Sequence, residues 1–137
     1  MIKIIAYCLT FSLLFSIGGA LRNYQCKKCG TLVRAGSTPS SLNCPARGSH
    51  SWQNLGEVGE ENYCCKKCGT CIENRRNPSS LGCPAGNSHS WNHLGRVGDI
   101  TYQCRKCGIA IRSQRTPSSL GCPAGSSHSW TKLGRYN

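Results

Sequence analysis

Apolar positions along this chain fall into two regimes. An apolar run from Ile4 to Ile17 follows Lys3 and is closed by the small residues Gly18, Gly19 and Ala20. Beyond it large apolar side chains become sparse and are set among Gly, Ser, Pro, Cys and basic residues. From Tyr24 to Arg34 the pattern reads as two short strands around a turn, with β-branched Val33, and later Ile72 and Ile111, on the return strand. T-P-S-S-L and N-P-S-S-L read as turns, because proline presets φ at the second turn position. His50 and Trp52 are two residues apart, so a strand there would put both on one face.

The pattern then repeats. YQCKKCGTLVRAGSTPSSLNCPARGSHSWQNLG begins at Tyr24, YCCKKCGTCIENRRNPSSLGCPAGNSHSWNHLG at Tyr63 and YQCRKCGIAIRSQRTPSSLGCPAGSSHSWTKLG at Tyr102. The period is 39 residues without a gap: units 24–56, 63–95 and 102–134, separated by EVGEEN and RVGDIT. Ungapped spacing implies loops of fixed length, hence three copies of one small module. The six-residue connections read as polar spacers reaching at most ~20 Å. Eighteen positions of the 33 are the same in all copies, and Tyr24, Val33, Leu42, Trp52 and Leu55 with their counterparts are the expected minimal core of each unit.

The N-terminal run reads as a signal peptide, residues 1–20, cleaved after Ala20. An uncleaved membrane anchor is the alternative, since the run approaches the ~20 apolar residues of a spanning helix. Cleavage would make the product secreted or otherwise exported.

Composition narrows the class further. A 33-residue unit lies below the ~40 residues at which chains usually fold unaided, so it needs staples. Twelve cysteines are available, and eleven remain once Cys8 of the leader is set aside. An odd number cannot all pair, and three per copy cannot pair within a copy. Each copy also repeats one histidine, as C-x2-C-x14-C-x5-H. Three thiolates and an imidazole form a full tetrahedral ligand set. The candidate metal ligands are Cys26, Cys29, Cys44 and His50; Cys65, Cys68, Cys83 and His89; and Cys104, Cys107, Cys122 and His128. A disulfide framework is the competing reading, but it gives the recurrent histidine no role.

Two cysteines remain, Cys64 and Cys71, on either side of the second C-x2-C. A hairpin there would place them opposite one another, where a cross-strand disulfide can form; free thiols or extra ligands are the alternatives. Lys28, Lys67 and Lys106, between the paired cysteines, would favour thiolates or simply be solvated. Glycine follows each pair (Gly30, Gly69, Gly108) and can take the positive φ that turns backbone N–H groups toward sulfur.

With its C-x2-C-G turn facing a second cysteine-bearing loop, each unit resembles a zinc-ribbon or rubredoxin-like zinc-knuckle module, three in tandem. The second half departs from that pattern, with C-x5-H in place of C-P-x-C. The resemblance implies small metal-stabilised β modules and three zinc ions, one per repeat. Rubredoxin-type iron uses four cysteines, so the histidine favours zinc and disfavours electron transfer.

Charge bears on partners. Without the leader, sixteen Lys and Arg face five Asp and Glu, a net +11, which three Zn(Cys)3(His) centres would lower to about +8. Such a surface favours an anionic macromolecule such as a glycan, lipid or nucleic acid, or merely keeps the protein soluble. A closed four-ligand site offers no position for substrate, and no carboxylate recurs, so no enzyme is expected. The expectation is a binding or structural scaffold. Nucleic-acid binding would require Trp52, Trp91 and Trp130 to be exposed for stacking, and metal buffering or sequestration is a third reading.

Overall fold

The computed structural model describes residues 20–135, so the expected leader, apart from Ala20, lies outside the described residues. Eight strands follow: β1 Arg22–Cys26, β2 Leu32–Ala35, β3 Trp52–Cys65, β4 Cys71–Asn74, β5 Trp91–Arg96, β6 Ile100–Cys104, β7 Ala110–Ser113 and β8 Trp130–Arg135. No helix among the described residues is long and apolar enough to cross a membrane.

One antiparallel pattern recurs three times: β2-β1-β3, β4-β3-β5 and β7-β6-β8. The register recurs with it. Tyr24 faces Val33, Tyr63 faces Ile72 and Tyr102 faces Ile111 across the hairpin. On the other edge Cys26 pairs with Trp52, Cys65 with Trp91 and Cys104 with Trp130. A bulge also recurs: partners step from Asn23–Gly56 to Tyr24–Asn54, leaving Leu55 without an opposite residue, and Leu94 and Leu133 occupy the same place in β5 and β8. A bulge re-aims the extra side chain. Here it turns a leucine toward the following module.

Two expectations are corrected. The connections are not spacers. EVGEEN lies wholly within β3, whose first half belongs to module 1 and whose second half belongs to module 2; half of RVGDIT is strand, Arg96 closing β5 and Ile100 and Thr101 opening β6. Their backbone groups find partners across the junctions, Arg75 N–H donating to the Glu57 carbonyl at 2.8 Å and Val97 N–H to that of Glu60 at 2.7 Å, and such pairing holds a segment extended and fixed. Nor is Leu42 core: it is 72% exposed, and Leu81 and Leu120 are 60% and 63% exposed. Their turn uses the backbone, Leu42 N–H donating to the Ser40 hydroxyl, and leaves the side chain outside.

The core instead lies between modules. Leu55 packs on Tyr63, Ile72 and Trp91 of the next unit; Leu94 packs with Cys64, Ile111, Ile109 and Trp130. Burying each leucine contributes about 1.5–3 kcal/mol. Polar contacts follow the same register. Asn23 donates to the Glu73 carbonyl at 2.9 Å and Asn62 to that of Arg112 at 2.7 Å. The carbonyls of Leu55 and Leu94 accept from the N–H groups of Ser79 and Ser118, both at 2.9 Å. Arg34, Glu73 and Arg112, one position of the repeat, alternate in sign and pair in series at 2.9 and 3.1 Å.

Gly59 and Gly98 mark where backbone approaches backbone most closely: a Cβ on either would lie 2.4 Å from backbone atoms of Arg75 and Gln114. Gly36, by contrast, has nothing within 4 Å of its Cβ direction. Gly59→Ala is therefore expected to lose about 1–3 kcal/mol to overpacking, while Gly36→Ala is neutral. Denaturant unfolding of both variants checks this, and equal effects would contradict it.

Candidate metal centres

Each centre is built from one tight turn and one returning loop. In module 1 the strand β1 ends at Cys26, the chain reverses through Lys27–Gly30, and Gly30 donates its N–H to the Cys26 carbonyl at 2.8 Å. Gly30 has φ +82°, and Gly69 and Gly108 take +78° and +80° in the same place, a conformation in which glycine pays no Cβ penalty. The turn places the first two cysteines side by side. Proline and serine then shape the return: the Trp52 indole donates to the Ser40 carbonyl at 2.9 Å, and the His50 N–H to that of Ser41 at 2.7 Å. Trp91 and Trp130 bond Ser79 and Ser118 in the same way.

The result gathers the twelve candidate ligands into three groups: Cys26, Cys29, Cys44 and His50; Cys65, Cys68, Cys83 and His89; Cys104, Cys107, Cys122 and His128. In each group the ligand atoms all lie within 4.8 Å of one another. Cys26 and Cys44 sulfurs are 3.9 Å apart, as are those of Cys104 and Cys122. Each histidine presents Nδ1 to the second cysteine, 3.6 Å from Sγ in all three groups. A tetrahedron with Zn–S near 2.3 Å and Zn–N near 2.05 Å has edges of about 3.8 Å between sulfurs and about 3.6 Å between sulfur and nitrogen. These clusters could hold metal ions.

Electrostatics points the same way. Burial by itself raises the Cys26 pKa, but N–H groups of Cys29, Ser51 and Lys28 outweigh it and bring the thiol down to about 5. Cys104 is lowered to about 5 by the corresponding amides, and Cys65 is lowered likewise. Burial and the neighbouring thiolate push Cys68 up to about 11, and burial with the two other cysteines of its centre does the same to Cys107. One thiolate per centre is thus favoured while one neighbouring thiol, Cys44, Cys68 or Cys107, resists a second negative charge. A divalent cation removes that conflict. Burial, helped by the Lys67 charge, lowers the His89 pKa and keeps its ring neutral, the ligating form.

The tryptophan completes the centre. Each imidazole is stacked on the indole two residues later, ring centres 4.6, 4.4 and 4.5 Å apart. The serine between them sends its N–H to the first cysteine: Ser51 to Cys26 and Ser90 to Cys65 at 3.3 Å, Ser129 to Cys104 at 3.4 Å. The H-S-W triplet therefore supplies a candidate ligand, a hydrogen bond to sulfur and a ring that orients the imidazole. With the tryptophans half-buried and hydrogen-bonded, base stacking would have to break these contacts.

The lysines do something the sequence reading did not assign. Lys28, Lys67 and Lys106 each reach the carbonyl of the residue before the ligating histidine, Ser49, Ser88 and Ser127. They tie the knuckle to the loop that carries the imidazole. Their identity in all three copies was the available signal. Cys64 and Cys71, paired across β3 and β4, are joined by a disulfide, with Cα atoms 4.1 Å apart. Cys64 also packs with Leu94 and Ile111 at the junction of modules 2 and 3.

Comparison of the chain with protein-family models, curated proteins and solved structures returns no match. The likeness to zinc knuckles therefore rests on the ligand pattern alone.

Lys67→Met leaves all four ligands of the second centre in place but releases the loop before His89. Supporting groups around ligands typically contribute 10–100-fold in metal affinity. Competition with a chromogenic chelator should show one of three ions lost about tenfold more readily; three equal ions would contradict this role.

Proposed function

We propose that this is a secreted, non-enzymatic zinc-binding repeat protein, a rigid scaffold that presents a basic surface to an anionic partner. The observation that carries the reading is the threefold Cys3His cluster with tetrahedral edge lengths. Four protein donors fill a structural zinc site and leave no open position for water or substrate, which is why the centres are read as clamps. The mixed sulfur and imidazole set suits zinc. Export is supported by the character of residues 1–20 and by the Cys64–Cys71 disulfide, a bond that persists in oxidising compartments.

Support for a partner comes from a side chain left outside the packed core. Leu42, Leu81 and Leu120 are the same in every copy, yet their side chains are exposed. Leu81 lines a surface groove with Lys27, Lys28 and Pro84, so an apolar spot adjoins a basic pair at the junction of two modules. Basic pairs recur at Lys66-Lys67 and Arg105-Lys106.

Native mass analysis should show three zinc ions per chain, and fewer than three would overturn the metal assignment. Heparin, phosphatidylserine vesicles and an oligonucleotide are the three probes for the partner. At least one should bind with an affinity that falls as salt rises, and the triple variant Leu42→Ser, Leu81→Ser, Leu120→Ser should weaken it with the metal content unchanged. No binding to any probe at low salt would contradict the anionic partner.

A further inference from the structure

The two internal junctions are built from one set of positions. At the leading end of each pair stands the bulge leucine with its carbonyl, and at the receiving end stand a tyrosine, a β-branched residue, a proline and a serine amide. Leu55 and Leu94 are each 1% exposed because a following module covers them, whereas Leu133 of module 3 is 57% exposed. It borders a small cavity with Thr101, Gly134 and Arg135. The receiving end of module 1 is open in part: Tyr24, at 5% exposed, is as buried as Tyr63 and Tyr102, but the β-branched residue and the proline beside it are less covered. Ile72, Ile111, Pro78 and Pro117 are buried, while their counterparts Val33 and Pro39 are only half-buried.

We propose that the chain associates head to tail with a second copy of itself: Leu133 of one copy seats against Tyr24, Val33 and Trp52 of the next. This repeats the seating of Leu55 on Tyr63, Ile72 and Trp91 within one chain. The backbone match extends the register. The Leu133 carbonyl takes the Ser40 N–H, as the carbonyls of Leu55 and Leu94 take those of Ser79 and Ser118. Gln103 reaches Thr31, as Gln25 donates to the Thr70 hydroxyl at 2.7 Å. Plug and socket lie on different faces, so the contact is heterologous and each copy keeps one free end, a geometry that adds copies in a row.

One element opposes it. Within the chain the Arg34–Glu73–Arg112 series alternates in sign, but a second copy brings its Arg34 up beside Arg112. Like charges there weaken association at low ionic strength, and salt screens them. Docking should therefore strengthen as salt is raised to physiological levels, which separates it from clustering on polyanions. It rests on the stacked modules and not on the anionic partner.

Sedimentation velocity of the purified protein over a concentration series is the test. Wild type should form species larger than a monomer that grow with concentration, and Leu133→Asp should be monomeric with its three metal ions retained. Val33→Asp, or Pro39→Asp if the first loses metal, should also be monomeric alone. An equimolar mixture of the plug variant and the socket variant should stop at a dimer, since each supplies one intact end. A monomeric wild type, a Leu133→Asp variant that still associates, association that salt abolishes, or a mixture that stays monomeric would overturn the proposal.

Discussion

Each module closes where its knuckle turn meets the loop carrying the third cysteine and the histidine. Few large apolar side chains are available to hold that closure, and those present are mostly committed elsewhere, to the junctions. Within the cluster, buried thiols 3.9 Å apart and an imidazole edge 3.6 Å from sulfur gain only weak hydrogen bonds from one another as neutral groups. Around a cation the same spacing becomes a coordination shell. The amides on the first sulfur, the lysine on the loop carbonyl and the indole on the imidazole all make sense as supports of that shell.

From closure follows stacking. The histidine loop leads directly into Trp52, which pairs with Cys26, and from there β3 runs unbroken into the next module. At this junction the orientation of the final strand of one unit thus sets the first strand of the next. The bulge leucine converts this continuity into burial, since it sends an apolar side chain out of its own module. Units that pack on the next unit along the chain are the organisation of a short solenoid, whose stability is a sum of unit and junction contributions.

Much of this was readable in the sequence because the chain compares itself with itself. The repeat period, the grouping of the candidate ligands and the short strands around Tyr24 and Val33 all follow from positions that stay the same over 39 residues. What comparison cannot distinguish is why a position stays the same. Leu42 and Leu55 are equally invariant, yet one lies outside and the other is covered by a different module. EVGEEN looked like a spacer because its side chains are polar; its role lies in the backbone, whose pairing is set by register and leaves no compositional trace. The place of Lys28 between two cysteines points to an electrostatic part or to a merely solvated side chain, whereas its reach along the loop to Ser49 depends on the three-dimensional return of the chain.

The dependence of fold on metal is open to one direct measurement. Bound metal is stripped from the protein with a chelator in the absence of oxygen and of any reductant, which spares both the Cys64–Cys71 disulfide and the free thiols, and far-ultraviolet circular dichroism and tryptophan fluorescence are followed as zinc is added. Metal-clamped modules lose their strand signal on stripping and regain it in proportion to added zinc, with a break at three equivalents. A protein that keeps its full strand signal and buried tryptophan emission with no metal bound contradicts the clamp and everything built on it.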